Sequence, residues 1–187
     1  MKKLISYTRL IAKIFFEFIP IIAFLVSFEI WHNFYKSTAL LVVLTIIFTV
    51  YVVLKDKRIP YLALFICLET TLFGWLTIRF HNPNFLQIRD TLYDLAVAGI
   101  IMISAYFKKP AIKKMFSHIF TLDNQTWIKL SYNWGVIFLI FGILNEIVRR
   151  NLHTGAWVDY KAFIAMFTVV YGLYLYYKFR DKAVFKV

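Results

Sequence analysis

The stretch "LFICLETTLFGW", residues 64–75, sets Glu69 among aliphatic and aromatic side chains. It does not alternate polar with apolar residues, so it is not a strand with one wet face. It is also apolar all round, which a helix on the surface of a soluble protein is not. The rest of the chain identifies its solvent. Of 187 residues, 61% are AVILMFWYC, and mean hydropathy is +0.68. Soluble domains hold roughly 45–50% apolar residues even with Gly counted. A chain this short cannot hide so much apolar surface from water, so its surroundings are lipid.

Five further apolar runs accompany the one at 61–78, at 15–31, 38–54, 91–107, 132–148 and 162–177. At 1.5 Å per residue each is at the short end of what crosses a hydrocarbon core of about 30 Å. Trp31, Tyr35, Tyr61, Trp127, Trp134 and Trp157 lie near run ends, where an aromatic belt extends a crossing. The runs lack the alternation of a membrane barrel. The expected fold is all-α, a polytopic integral membrane helical bundle of six apolar helices forming one domain over residues 1–187. The first run is the least regular, since "FFEFIPIIAFLVSFEIW" carries Glu17, Pro20 and Glu29. The N-terminus is basic and then apolar, but no small-residue cleavage site follows, so it is expected to be retained.

Lys and Arg stay on the cytoplasmic side of short loops. With six crossings and both termini inside, sixteen of the 22 Lys and Arg are cytoplasmic and six are external. The expected location is a bacterial inner membrane with a cytoplasmic C-terminus. The cytoplasmic break at 108–131 places Ile112, Met115, Phe116, Ile119 and Phe120 three or four residues apart between lysines. That spacing predicts an amphipathic surface helix on the inner leaflet, facing anionic head groups. The net charge of +12 is spread over short loops, which favours lipid over nucleic acid.

Chemistry-bearing motifs are few. The six glycines are scattered, so no phosphate-cradling loop forms, and there is neither a G-x-S-x-G nor an H-E-x-x-H. Cys67 has no partner cysteine. His32, His81 and His153 fall in separate loops without ligand spacing, so no metal or cofactor is expected and no enzyme. Gly135 and Gly142 are seven apart and share a helix face with Asn145, a strip for close helix packing. Lys161 and Trp157 share a face four residues apart, level with Asn145 on the preceding helix. The trio reads either as a contact site for partners or head groups, or as a lysine that snorkels beside an interfacial tryptophan. Glu69, as an intramembrane acid, reads as a proton relay or as a hydrogen-bonded packing residue, with Thr45 as a possible partner. Insertion tolerates it. A central charge costs about 3 kcal/mol, while the nine Leu, Ile and Phe of that run return about 0.3 to 0.6 kcal/mol each.

Taken together, "FEFIPIIAF" (16–24), "FHNPNFLQIRDT" (80–91), "KKPAIKKM" (108–115), "WIKLSYNWGVIFLIFGILNE" (127–146) and "WVDYKAF" (157–163) resemble the intracellular septation protein A family, also called YciB or IspZ. The resemblance implies an inner-membrane protein with a role in cell-envelope biogenesis, septation and cell division, and membrane homeostasis. It implies contacts with division and elongation membrane proteins and no enzymatic activity. Matched positions include Glu17, Pro20, His81, Lys109, Pro110, Trp127, Asn145, Trp157 and Lys161. Of these, Glu17, Pro20, His81, Asn145, Trp157 and Lys161 are the expected binding positions for a partner or lipid. Glu69, Glu29 and Glu146 depart from the pattern, which favours packing for Glu69. The alternative reading is a small transporter or lipid-handling protein with a polar cavity among Glu17, Asn145 and Lys161. Topology is open to direct test. A reporter fused after Tyr35 is expected to read external and one after Asp56 cytoplasmic, and a cytoplasmic signal at Tyr35 overturns the six-crossing arrangement.

Overall fold

A backbone in hydrocarbon must satisfy its own N–H and C=O groups, and a helix does so within one segment. The computed structural model describes residues 19–56, 61–117, 120–179 and 184–185. They form α1 (Ile19–Trp31), α2 (Phe34–Asp56), α3 (Tyr61–Phe80), α4 (Asn84–Tyr106), the short α5 (Ala111–Phe116), α6 (Asn124–Asn151) and α7 (Thr154–Phe179). A two-residue antiparallel pairing joins β1 (Phe120–Thr121) to β2 (Val184–Phe185). Among the described residues, α2, α3, α6 and α7 contain stretches long and apolar enough to cross a membrane, and α1 is a shorter apolar helix. The 23 residues of α4 are long enough, but Arg89, Asp90 and Asp94 set it apart.

Turns between helices are tight and use specific closures. His32 (φ 48°) and His81 (φ 48°) take the left-handed conformation after α1 and α3. Each is followed by an asparagine that opens the next helix. The Asn33 side chain accepts the Lys36 N–H at 3.0 Å, and that of Asn82 accepts the Asn84 N–H at 3.0 Å. At the end of α4, Lys108 (φ 58°) lets its N–H reach the Ala105 carbonyl (2.9 Å) and that of Lys109 reach the Ser104 carbonyl (3.0 Å). This six-to-one closure stops the helix.

The chain clusters into two units, residues 1–89 and 90–187, divided inside α4. In the first, α2 and α3 meet along small residues. Gly74 lies against Val42, and Thr38 and Thr77 have no exposed surface. The Thr77 hydroxyl oxygen accepts the Leu86 N–H at 2.9 Å, and Arg89 donates to the Thr70 hydroxyl at 2.8 Å. Other hydroxyls turn back on their own helix, as Thr38 does to Phe34 (2.8 Å) and Thr45 to Leu41 (2.7 Å). Thr45 thus spends its donor on its own helix, and Glu69 is half-buried on α3.

In the second unit, Ile101, Ile112, Trp127, Leu130 and Leu175 form an apolar cluster, flanked by Trp134, Phe138 and Tyr171. Gly135 and Gly142 press α6 onto α4. A Cβ on Gly135 would meet Met102, and one on Gly142 would sit 2.9 Å from Leu95 Cγ and Cδ2. The expected glycine strip is therefore a helix-packing face. In both units, Thr, Ser and Asn side chains are buried while Leu54, Leu68, Trp75, Ile100 and Met166 are exposed. Hydrocarbon outside and small or polar contacts inside are what packing in lipid favours.

Three expectations need correction. The surface helix of 108–131 is a single six-residue element whose Ile112 faces the apolar cluster instead of lipid; Ile119 lies outside the described residues. Trp127 and Trp157 are 1% and 2% exposed, so they are packing residues and not part of an interfacial belt. The fourth apolar run starts seven residues after the helix it belongs to, because polar side chains fill the first turns of α4. The glycine contacts make a graded prediction. Gly142→Leu is expected to abolish the folded protein and Gly142→Ala to lower its melting temperature in detergent. Gly172→Ala, where nothing lies within 4 Å of a new Cβ, should leave that temperature unchanged.

Candidate functional site

Helix periodicity assembles the polar end of the second unit. On α4, Asp90, Thr91 and Asp94 fall within one turn and share a face, and all three are buried. On α7, Trp157, Tyr160 and Lys161 are spaced three and four apart and share another. Asn145 stands near the C-terminal end of α6 with no exposed surface. Its Nδ2 donates to the Thr91 hydroxyl at 2.8 Å, and its Oδ1 accepts the Trp157 indole N–H at 2.8 Å. One amide thereby ties three helices together.

The network continues on both sides. Thr91, having accepted from Asn145, donates its own proton to Glu146 at 3.2 Å. Glu146 is held by Arg149 at 2.6 Å and by Arg150. Lys161 Nζ lies 2.6 Å from Asp90 Oδ2, and the two side chains are 14% and 7% exposed. The ammonium also lies 5.7 Å from the Trp157 ring and 5.8 Å from that of Tyr160, within cation–π range. Tyr160 donates to the Phe141 carbonyl at 2.9 Å. The contacts differ in weight. Hydrogen bonds between membrane helices contribute about 0.6 kcal/mol on average, whereas breaking one side of a buried ion pair costs about 3–5 kcal/mol. The Asp90–Lys161 pair therefore dominates the local energetics, and Asn145 sets the geometry around it.

The structure brings together Asn145, Trp157 and Lys161 as expected, but it changes their roles. Lys161 does not snorkel to head groups; it is nearly buried against Asp90. Asn145 and Trp157 are enclosed and bond to each other inside the unit. Pro20 stands at the start of the described part of α1, and His81 lies at the α3–α4 turn; both belong to the first unit. The His81 carbonyl accepts from the Tyr35 hydroxyl at 2.8 Å, and the two rings lie 5.3 Å apart. Glu17 lies outside the described residues. Sequence reasoning missed Asp90, Thr91, Asp94 and Tyr160. The signal was present in "RDTLYDL" (89–95), where the two aspartates lie one turn apart, but the hydropathy reading assigned the first of them to a loop. Among the described residues, no three His, Cys, Asp or Glu side chains are placed to hold a metal ion.

Known proteins match the chain along most of its length. The family model described as "Intracellular septation protein A" matches residues 12–182. The inner membrane-spanning protein YciB of Shigella dysenteriae serotype 1 is 31% identical over 170 residues, which cover 88% of this chain and 94% of that protein. The protein of the same name from Citrobacter koseri is 31% identical with the same coverage, and that from Klebsiella pneumoniae 29%. No solved structure matches. The family is one of membrane septation proteins and is not a known enzyme family. With its apolar spanning helices and a family match over nearly its whole length, the chain is a multi-pass inner-membrane protein that belongs to the intracellular septation protein A family.

Proposed function

We propose that this protein supports envelope biogenesis, septation and membrane homeostasis as a non-enzymatic helical scaffold. It acts through contacts with other membrane proteins, among them those of division and elongation, with both termini in the cytoplasm. One observation carries the reading: the polar side chains at the α4–α6–α7 end are used on one another. Asn145 has both ends of its amide bonded and Lys161 is paired with Asp90. Such a network holds helices in register, and the surfaces it leaves for partners are the apolar outer faces of those helices. Asn145, Trp157 and Lys161 thus act as positioning residues for a partner surface. Under the proposed orientation, this end of the unit is the external one.

The network gives an ordered set of expected effects. Lys161→Ala removes the ammonium that pairs with the buried Asp90 carboxylate and is expected to be the most harmful single change, of about 3–5 kcal/mol. Asn145→Ala orphans the buried Trp157 N–H and is expected to cost about 1–3 kcal/mol. The double variant Asp90→Asn with Lys161→Met removes both charges and should be milder than Lys161→Ala. Melting in detergent and septation of a bacterial strain lacking its own family member are the readouts. Normal septation with both Asn145→Ala and Lys161→Ala at wild-type protein levels would show the scaffold reading to be wrong.

A second reading, a small transporter or lipid-handling protein, is favoured by Asp94, a carboxylate only 8% exposed near the middle of α4, where a buried acid among apolar helices marks a candidate transport path. Asp94→Asn separates the two. The scaffold keeps septation because the amide retains hydrogen-bonding capacity. A transporter that needs the charge loses it at unchanged protein level and melting temperature.

A further inference from the structure

At the end of α4 the chain builds a rigid basic turn. Lys108, Lys109, Lys113 and Lys114 are all exposed, and among the described residues none of them is in ion-pair contact with a carboxylate. Their backbone is held in place. Lys108 and Lys109 close the last turn of α4, the Ala111 N–H donates to the Ser104 hydroxyl at 2.9 Å, and Pro110 and Ile112 are buried. Asn124, at the first turn of α6, ties the two halves of the turn together. It accepts from Lys113 Nζ at 3.2 Å and donates to the Lys108 carbonyl at 3.3 Å. Beside the lysines, Tyr106 and Phe107 are 74% and 66% exposed. Exposed aromatic rings next to ammonium groups match the boundary between acyl chains and phosphates.

We propose that this turn is a preorganised site for the phosphate of an anionic phospholipid, with Lys108, Lys109, Lys113 and Lys114 supplying charge, Asn124 setting their spacing and Tyr106 and Phe107 lying along the acyl chains. Charge complementarity selects the occupant, because four cations that meet no counter-ion among the described residues, at the rim of an apolar helix, match a layer of phosphates. The site deepens the scaffold reading by fixing a lipid contact at the end opposite the Asn145 network on α6. It does not depend on that reading, since binding can be measured on purified protein whatever its partners.

The test uses the full chain purified in detergent, titrated in mixed micelles with fluorescent phosphatidylglycerol, phosphatidylcholine as the zwitterionic arm, and inorganic phosphate as competitor. The wild type is expected to prefer phosphatidylglycerol, with millimolar inorganic phosphate failing to displace it. Replacing all four lysines by Gln should weaken phosphatidylglycerol binding by about tenfold or more while leaving phosphatidylcholine unchanged. Asn124→Ala keeps every charge and should still weaken binding roughly threefold, because a built site loses its spacing and a diffuse charge does not. Unchanged binding in the four-lysine variant, wild-type binding in Asn124→Ala, or displacement by inorganic phosphate each overturns the proposal.

Discussion

Lys161 and Asp90 are a charge pair nearly withdrawn from solvent, and the rest of the second unit is arranged so that neither is left alone. A single charge in that position would cost several kcal/mol, more than any neighbouring hydrogen bond contributes. The first turns of α7 must therefore stay beside the first turns of α4, with Trp157 and Tyr160 packed near the ammonium. Asn145 then positions α6 against both, because its amide has a donor for Thr91 and an acceptor for the indole of Trp157. Replacing it with a group that can only donate or only accept would leave one helix untied.

Packing along α6 follows from the same requirement. Hydrogen bonds at one end of a 28-residue helix hold only if the helix stays close to α4 along its length. Gly142 and Gly135 permit that approach by removing side chains where Leu95 and Met102 project. At the far end, the apolar cluster around Trp127 closes the unit and buries Ile112. The same cluster keeps α5 against the bundle and holds its lysines at a defined edge. Polar contacts at one end, glycines midway and apolar contacts at the other give α6 a single depth and rotation.

Much of this was legible in the residues. Hydropathy alone identified five of the long helices, since a helix in lipid needs no partner to satisfy its backbone. The seven-residue spacing of Gly135 and Gly142 revealed a packing face, and the shared face of Trp157 and Lys161 followed from helical periodicity. The family was readable from motifs spread from Glu17 to Lys161, in order and at similar spacing. These are properties of local sequence and need no long-range contact.

What tertiary structure decided was the fate of each polar side chain. From sequence, Lys161 had head groups as its natural partner and Asp90 belonged to a loop; only the approach of α4 to α7 pairs them and makes both buried. Ile112 lay on the apolar face expected to meet lipid, but the cluster at Trp127 offers it protein instead. Glu69 drew attention because it stands in the middle of an apolar run, whereas Asp90 borders one and Asp94 falls in the first turn of the same run. The physical reason is the same in each case. A periodic pattern tells which face of a helix is apolar, but not what stands opposite it, and in a membrane both lipid and another helix can meet an apolar face.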